Sequence, residues 1–135
     1  MGETRESDDP EWKKEFVIDH MRRFVNERDL TAAYDNFADN FIDHETRETP
    51  LTHEEIKVNM EDMYARFTDL HVDTLYIMAE GEFVTGRHLW SATNLDGSKI
   101  QFKGFVQWRI KDGEFVERWA VITPPIQVEE NVPHW

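Results

Sequence analysis

Apolar residues recur at helical spacing in the first half of the chain and at every second position in much of the second half. From Pro10 onward, Trp12, Phe16, Val17, Met21, Phe24 and Val25 form one stripe and predict a helix ending near Arg28. Asp9 is placed to cap it, and Pro10 stands at the first helical position, where a missing N–H is harmless. A second, short helix is expected after Asp29, with Leu30, Ala33, Tyr34 and Phe37 on one side. "NFIDHE", residues 40 to 45, reads as a short strand. Thr52 and Glu55 have the spacing of a capping box, and Ile56, Met60, Met63, Tyr64 and Phe67 supply the apolar side of a third helix.

After Thr68 the period shortens to two. Strands are expected near 70–79, 82–93, 99–111 and 114–123, separated by "EGE", "LDG" and "KDGE". Asp112-Gly113 is a hairpin signal, because a type I′ turn needs positive φ at both central residues. Lys111 then faces Glu114 as an opposite-charge pair. Helices first and an antiparallel meander afterwards make the class α+β.

That turn predicts a register. Ile110 faces Phe115, Trp108 faces Glu117, Val106 faces Trp119, Gly104 faces Val121 and Phe102 faces Thr123. Phe102, Val106, Trp108, Ile110, Phe115, Trp119 and Val121 would then share the face that the helices cover, with Glu117 as its one charge from these two strands. A similar tight turn at Asp96-Gly97 adds Phe83, Thr85, Arg87 and Leu89 to the same face, and places His88 and Trp90 opposite, at a dimer contact. Arg87 and Glu117 are then expected to pair.

The chain has 135 residues, enough for one domain with a proper core. It contains no Cys, which excludes thiolate redox and zinc chemistry and fits a reducing cytosol. No apolar run reaches membrane-spanning length, and "MGETRESDDPEW" lacks the core of a signal peptide, so a soluble, cytoplasmic protein is expected. The formal net charge of -13 repels nucleic acid and anionic membranes. With nine Arg against six Lys, that acidity also fits adaptation to high salt; composition leaves both readings open. No metal site is expected: "HEEIK" lacks the second His of a zinc helix, and the other histidines show no ligand spacing. Residues 1–8 are expected to be a disordered tail, 9–126 the domain, and 127–135 a C-terminal extension that crosses a dimer interface, caps the fold through Trp135, or is disordered.

"FADNFIDHE", "AEGEFVTGRHLW" and "KDGEFVERWAVIT" together resemble the SnoaL-like polyketide cyclase family of the nuclear transport factor two-like superfamily. The resemblance spans most of residues 11 to 123. It implies a cone: a curved, mostly antiparallel sheet wrapped around three N-terminal helices, with an apolar pocket and homodimers formed through the open sheet face. It also implies cofactor-independent lyase or isomerase chemistry on a small hydrophobic molecule. His44 in "FIDH" and Arg87 in "EGEFVTGR" match positions that the family typically fills with His and Arg, and Asp112, Gly113, Glu117 and Trp119 match its closing motif. The cyclases' catalytic acid falls at Thr123, which cannot exchange protons near neutral pH, and the family's "GTH" is replaced by "SAT" at 91 to 93.

These residues compose a candidate site. His44 would be the proton acceptor, because imidazole titrates near neutrality, or else a histidine packed between the first strand and the helices with both nitrogens satisfied. Arg87 and Glu117 would first of all form a structural ion pair, which could still polarise or orient the substrate. Tyr34, Phe102, Trp108 and Trp119 would line the pocket, Thr123 would stand at its acid position, and His20, between Phe16 and Phe24, would look inward or sit at the core edge. Three readings stay open: an enzyme, a non-catalytic binding module, and a dimeric structural domain whose five Trp and nine Phe fill the cone.

Overall fold

The computed structural model describes residues 6–129. A 3-10 turn (Glu6–Asp8) leads into helix α1 (Pro10–Met21), which continues as a π-helical turn over Arg22–Asn26. Helix α2 (Ala32–Asp35), strand β1 (Phe37–Asp43) and helix α3 (His53–Arg66) follow. Strands β2 (His71–Glu80), β3 (Phe83–Thr93), β4 (Lys99–Lys111), β5 (Glu114–Ile122) and β6 (Ile126–Gln127) complete the described residues' elements. Trp135 and the rest of residues 130–135 lie outside the described residues, as do residues 1–5 of the expected tail.

Local chemistry explains the helix ends. The Asp9 carboxylate accepts the Glu11 N–H at 3.1 Å, and Pro10 opens α1 as expected. Thr52 and Glu55 form the reciprocal capping box of α3, with bonds of 3.0 and 2.9 Å. The second helix differs from expectation: Asp29 organises the turn by accepting the Thr31 N–H at 3.0 Å, the helix begins at Ala32, and Phe37 belongs to β1. The π turn carries Asn26 to β2, where its amide pairs with both backbone groups of Val72, at 2.7 and 3.1 Å. Such a turn costs regular helix bonds and re-aims the residues around it.

The described strands form one curved, mixed sheet in the order β1-β5-β4-β3-β2, with β6 paired to β4 off that path. The meander β2 to β5 is antiparallel, while β1 runs parallel to β5. Pro124 and Pro125 interrupt the last strand; beyond them β6 takes over the β5 side of β4, pairing Ile100 with Gln127. Val17, Phe41, Val84, Val106, Ile110 and Phe115 are buried between helices and sheet. This is the α+β cone of the expectation.

The register departs from expectation at one residue. Lys111 faces Glu114 and Ile110 faces Phe115, with Asp112 and Gly113 both at positive φ (52° and 78°), as the hairpin rule requires. Next, however, Arg109 faces Glu117. Val116 is therefore the extra residue of a β-bulge, and every later β5 side chain changes face. Trp108 faces Arg118, Val106 faces Ala120, and Gly104 faces Ile122. Glu117, Trp119 and Val121 point outward, contrary to the expected inner wall.

The β3–β4 connection also corrects the map. Its loop spans 94–98, so Thr93 faces Lys99 and Trp90 faces Phe102. His88 and Trp90 thus lie on the inner face, at 0% and 5% exposure, and make no outer contact. Gly86 makes room for His88, since a Cβ there would sit 2.5 Å from its Nε2. Arg87 faces Phe105 on the outside.

Candidate functional site

The curved sheet, α1 and α3 enclose a cavity of about 520 Å³. Its walls are Met21, Phe24, Val25, Leu51, Ile56 and Met60 from the helical side and Trp90, Phe102, Val106 and Ile122 from the sheet. Its deep end holds His20, Phe37 and Trp108. Its rim is polar, with Asp43, Glu45, Thr46, Asn59, Asp62 and Arg66 at or near solvent, joined by Arg118. The cone is therefore open, and its own aromatics do not fill it.

The rim is built by the bulge. With Val116 looped out, Arg118 turns inward beside its parallel neighbour Asp43. Its Nη1 donates to both Asp43 carboxylate oxygens at 3.1 and 3.2 Å and to Glu45 at 2.9 Å. Its guanidinium also lies 5.5 Å from the Trp108 ring centre, a cation–π contact. The Asp43 and Arg118 side chains are about 15% and 17% exposed, so a cavity occupant would meet a largely desolvated carboxylate and guanidinium.

The deep end is built by α1. His20 falls between Phe16 and Phe24 on the helix and is 1% exposed. The rings of Phe24, Phe37, Trp108 and Phe115 surround it at 4.8 to 5.6 Å. Its Nδ1 is 2.9 Å from the Asn36 amide nitrogen, also buried. Burial, then the fields of Arg23 and Arg118, push the imidazole down to about 3, so it is neutral at ordinary pH. The amide nitrogen donates, so Nδ1 accepts and the ring hydrogen sits on Nε2.

The expected catalytic trio assembles differently. His44 lies outside the cavity, with Nδ1 2.6 Å from Glu48 and Nε2 2.9 Å from Glu117, and stacks on Trp119 at 4.8 Å and 9°. Both partners are carboxylates, which favours the imidazolium, the form in which both ring nitrogens donate. The hydrogen bond to Glu117, then that to Glu48, raises its pKa. Such a ring has no lone pair with which to accept a proton. The bond to His44, and secondarily that to Arg109, lowers the Glu117 carboxyl. Glu117 pairs with Arg109 at 3.0 Å, not with Arg87, and Arg109 bridges on to Glu82 at 2.8 Å. Arg87 lies over Tyr76, with 6.0 Å to the ring centre.

Of the expected lining residues, the structure brings His20, Phe102 and Trp108 to the cavity. Trp119 is on the outer face, and the bulge is the reason. Tyr34 is half exposed, bonded to Glu54 at 2.7 Å and stacked on His53. Thr123 is exposed past the end of β5, its hydroxyl accepting the Lys103 N–H at 3.1 Å. Sequence reasoning missed Arg118 and Asn36 and gave Asp43 no place in the site. The signal for Asp43 was present, since it alternates with buried Phe41, but Arg118 could be found only through the bulge.

With this geometry in place, the comparisons assign the family. The model of the SnoaL-like polyketide cyclase family matches residues 15–123, and the chain belongs to that family. No curated protein matches it. Solved structures share the fold at low identity. AclR from Streptomyces galilaeus, for which a hydroxylase role has been suggested, is 22% identical with a TM-score of 0.72, over 85% of this chain and 91% of that one. A protein of Acidithiobacillus ferrooxidans, provisionally described as a polyketide cyclase, is 18% identical with a TM-score of 0.72, over 90% and 91%. IdmH from Streptomyces antibioticus, described in the same provisional terms, is 18% identical with a TM-score of 0.68, over 80% and 89%.

Among the described residues, no group of three or more His, Asp or Glu is placed to hold a metal ion. No helix there is long and apolar enough to cross a membrane.

Proposed function

We propose that the cone cavity binds a small, mainly apolar carbonyl compound and moves a proton next to its carbonyl, as a cofactor-independent lyase or isomerase. One observation carries this reading: an open, mainly apolar cavity of about 520 Å³ whose lining includes buried His20 and the Asp43–Arg118 pair. Asp43 is the proton acceptor at the rim, oriented by Arg118 through the bonds of 3.1 and 3.2 Å. His44, Glu117 and Arg87 take no part, because they lie across the sheet from the cavity.

The reaction class is tested with 2-tetralone in deuterium oxide, following α-hydrogen exchange by proton NMR. Removal of the α-proton by Asp43 and its return as a deuteron is expected to accelerate exchange over buffer. Asp43→Asn should lower that acceleration by about 100-fold or more, while His44→Gln leaves it intact. Binding of tetralone with no acceleration of exchange favours a non-catalytic binding module.

The outer sheet face exposes Tyr76, Met78, Phe83, Phe105 and Val121, the last at 78%. Such a patch supports the proposal of a homodimer formed through this face. Light scattering at twice the chain mass is the expected result, with Val121→Glu shifting the protein to monomer.

A further inference from the structure

The deep end of the cavity holds polar hydrogens that the rim chemistry leaves unused. His20 is held by Asn36 with its hydrogen on Nε2, and Asn36 is its one polar contact among the described residues. Beside it, with ring centres 5.6 Å apart and nearly perpendicular, Trp108 is 4% exposed, and its indole N–H has no partner among the described residues. A buried donor left unpaired is costly, and buried polar groups in folded proteins are rarely orphaned without a reason. Both rings line the same cavity.

The surroundings select what these donors can bind. Four aromatic rings keep water from His20, which strengthens any hydrogen bond it makes. A neutral imidazole there cannot protonate a ligand outright; it donates. Arg23 and Arg118, each also paired with carboxylates, act on the ring as positive charges, which disfavours a cation there and suits an oxygen that gains negative charge.

We propose that His20, through Nε2–H, with Trp108 Nε1–H as second donor, binds the carbonyl oxygen of the ligand at the deep end of the cavity and stabilises it as it becomes an enolate oxygen. This rests on the reading of the cavity as a carbonyl-ligand site. Asn36 is then a positioning residue that holds the imidazole in the donating tautomer. The substrate is oriented with its carbonyl inward and its α-carbon toward the rim.

The test compares 2-tetralone with tetralin, which has a methylene in place of the carbonyl, by NMR titration of the intact protein labelled with nitrogen-15. A pocket without a donor binds the hydrocarbon more tightly, because the ketone must shed its water. The expected result is the reverse: tetralone binding about tenfold tighter than tetralin, the His20 Nε2 resonance moving only with the ketone. His20→Phe should reverse the order of affinities, and Trp108→Phe, which keeps an aromatic ring and removes the N–H in case the first variant folds poorly, should narrow the preference. Equal binding of both compounds, or a ketone preference that survives both variants, overturns the donor assignment while leaving the cavity reading intact. Binding of neither compound overturns both.

Discussion

Trp108 and Trp119 stand on neighbouring strands of one hairpin, and a single looped-out residue sends them to opposite sides of the sheet. On the inner side, Trp108 sits with His20, Phe37 and Phe115 at the end of an apolar cavity, and the charges of Asp43 and Arg118 gather at the rim. On the outer side, Trp119 supports a chain of alternating charges running from Glu82 through Arg109 and Glu117 to His44 and Glu48. The inner polar groups leave bonding capacity to spare, whereas the outer ones use theirs on one another. Acids, bases and aromatics occur on both sides, so residue type does not mark a site. Unspent hydrogen-bonding capacity next to empty space does.

The largest expected effect separates the two tryptophans. Trp108→Ala should cost about 3–5 kcal/mol of stability, because it opens a hole among buried rings. Trp119→Ala, half-buried on the outer face, should cost about 1 kcal/mol. Urea unfolding of the two variants checks the contrast, and equal losses would mean that the two faces are not distinguished in packing. Next in size is Gly104→Ala. A Cβ there would lie 2.1 Å from the Val121 carbonyl oxygen and 2.7 Å from the Ile122 Cα, both backbone atoms that cannot swing aside. A loss of about 3 kcal/mol is expected, read by thermal unfolding.

Smaller effects follow from the two histidines, whose pH dependences have opposite sign. His20 is depressed to about 3 in the folded chain, so below its ordinary value of 6.5 the unfolded chain binds the proton that the folded one refuses. Its contribution is present above that value and is lost as pH falls toward 3. His44 is raised by its carboxylates, so its contribution is complete below its ordinary pKa and is lost as pH rises through the raised one. Stability measured against pH should therefore flatten on the acid side in His20→Phe and on the near-neutral and alkaline side in His44→Gln. The His44 effect should be the smaller, since its partner Glu48 is largely exposed.

Much of the fold was legible in the sequence because its signals are local. The Asp9 and Thr52 caps, the apolar stripe of α1 and the Asp112-Gly113 turn each act within a few residues, and the four long strands fall within a residue or so of their expected ends. The site was legible only in part. "FVERWAVI" carries apolar side chains at both parities, Trp119 and Val121 on one and Ala120 and Ile122 on the other, so alternation could not choose between them. The bulge is decided by the ladder across from it, where Arg109 rather than Trp108 meets Glu117. Asp43 and Arg118 meet through a parallel pairing 75 residues apart in sequence, which no spacing rule reports. His44 was singled out for its type, and its two carboxylate partners became visible only in three dimensions.

In the proposed reading the inner cavity is the ligand site and the His44–Glu117 cluster is a structural clasp. The most direct measurement follows the tryptophan indole N–H signals of the full chain by nitrogen-15 NMR during titration with 2-tetralone, assigned with the single variants Trp90→Phe, Trp108→Phe and Trp119→Phe. The Trp90 and Trp108 signals should shift in step with ligand concentration while Trp119 stays in place. A shift of Trp119 with Trp90 and Trp108 unmoved would contradict it.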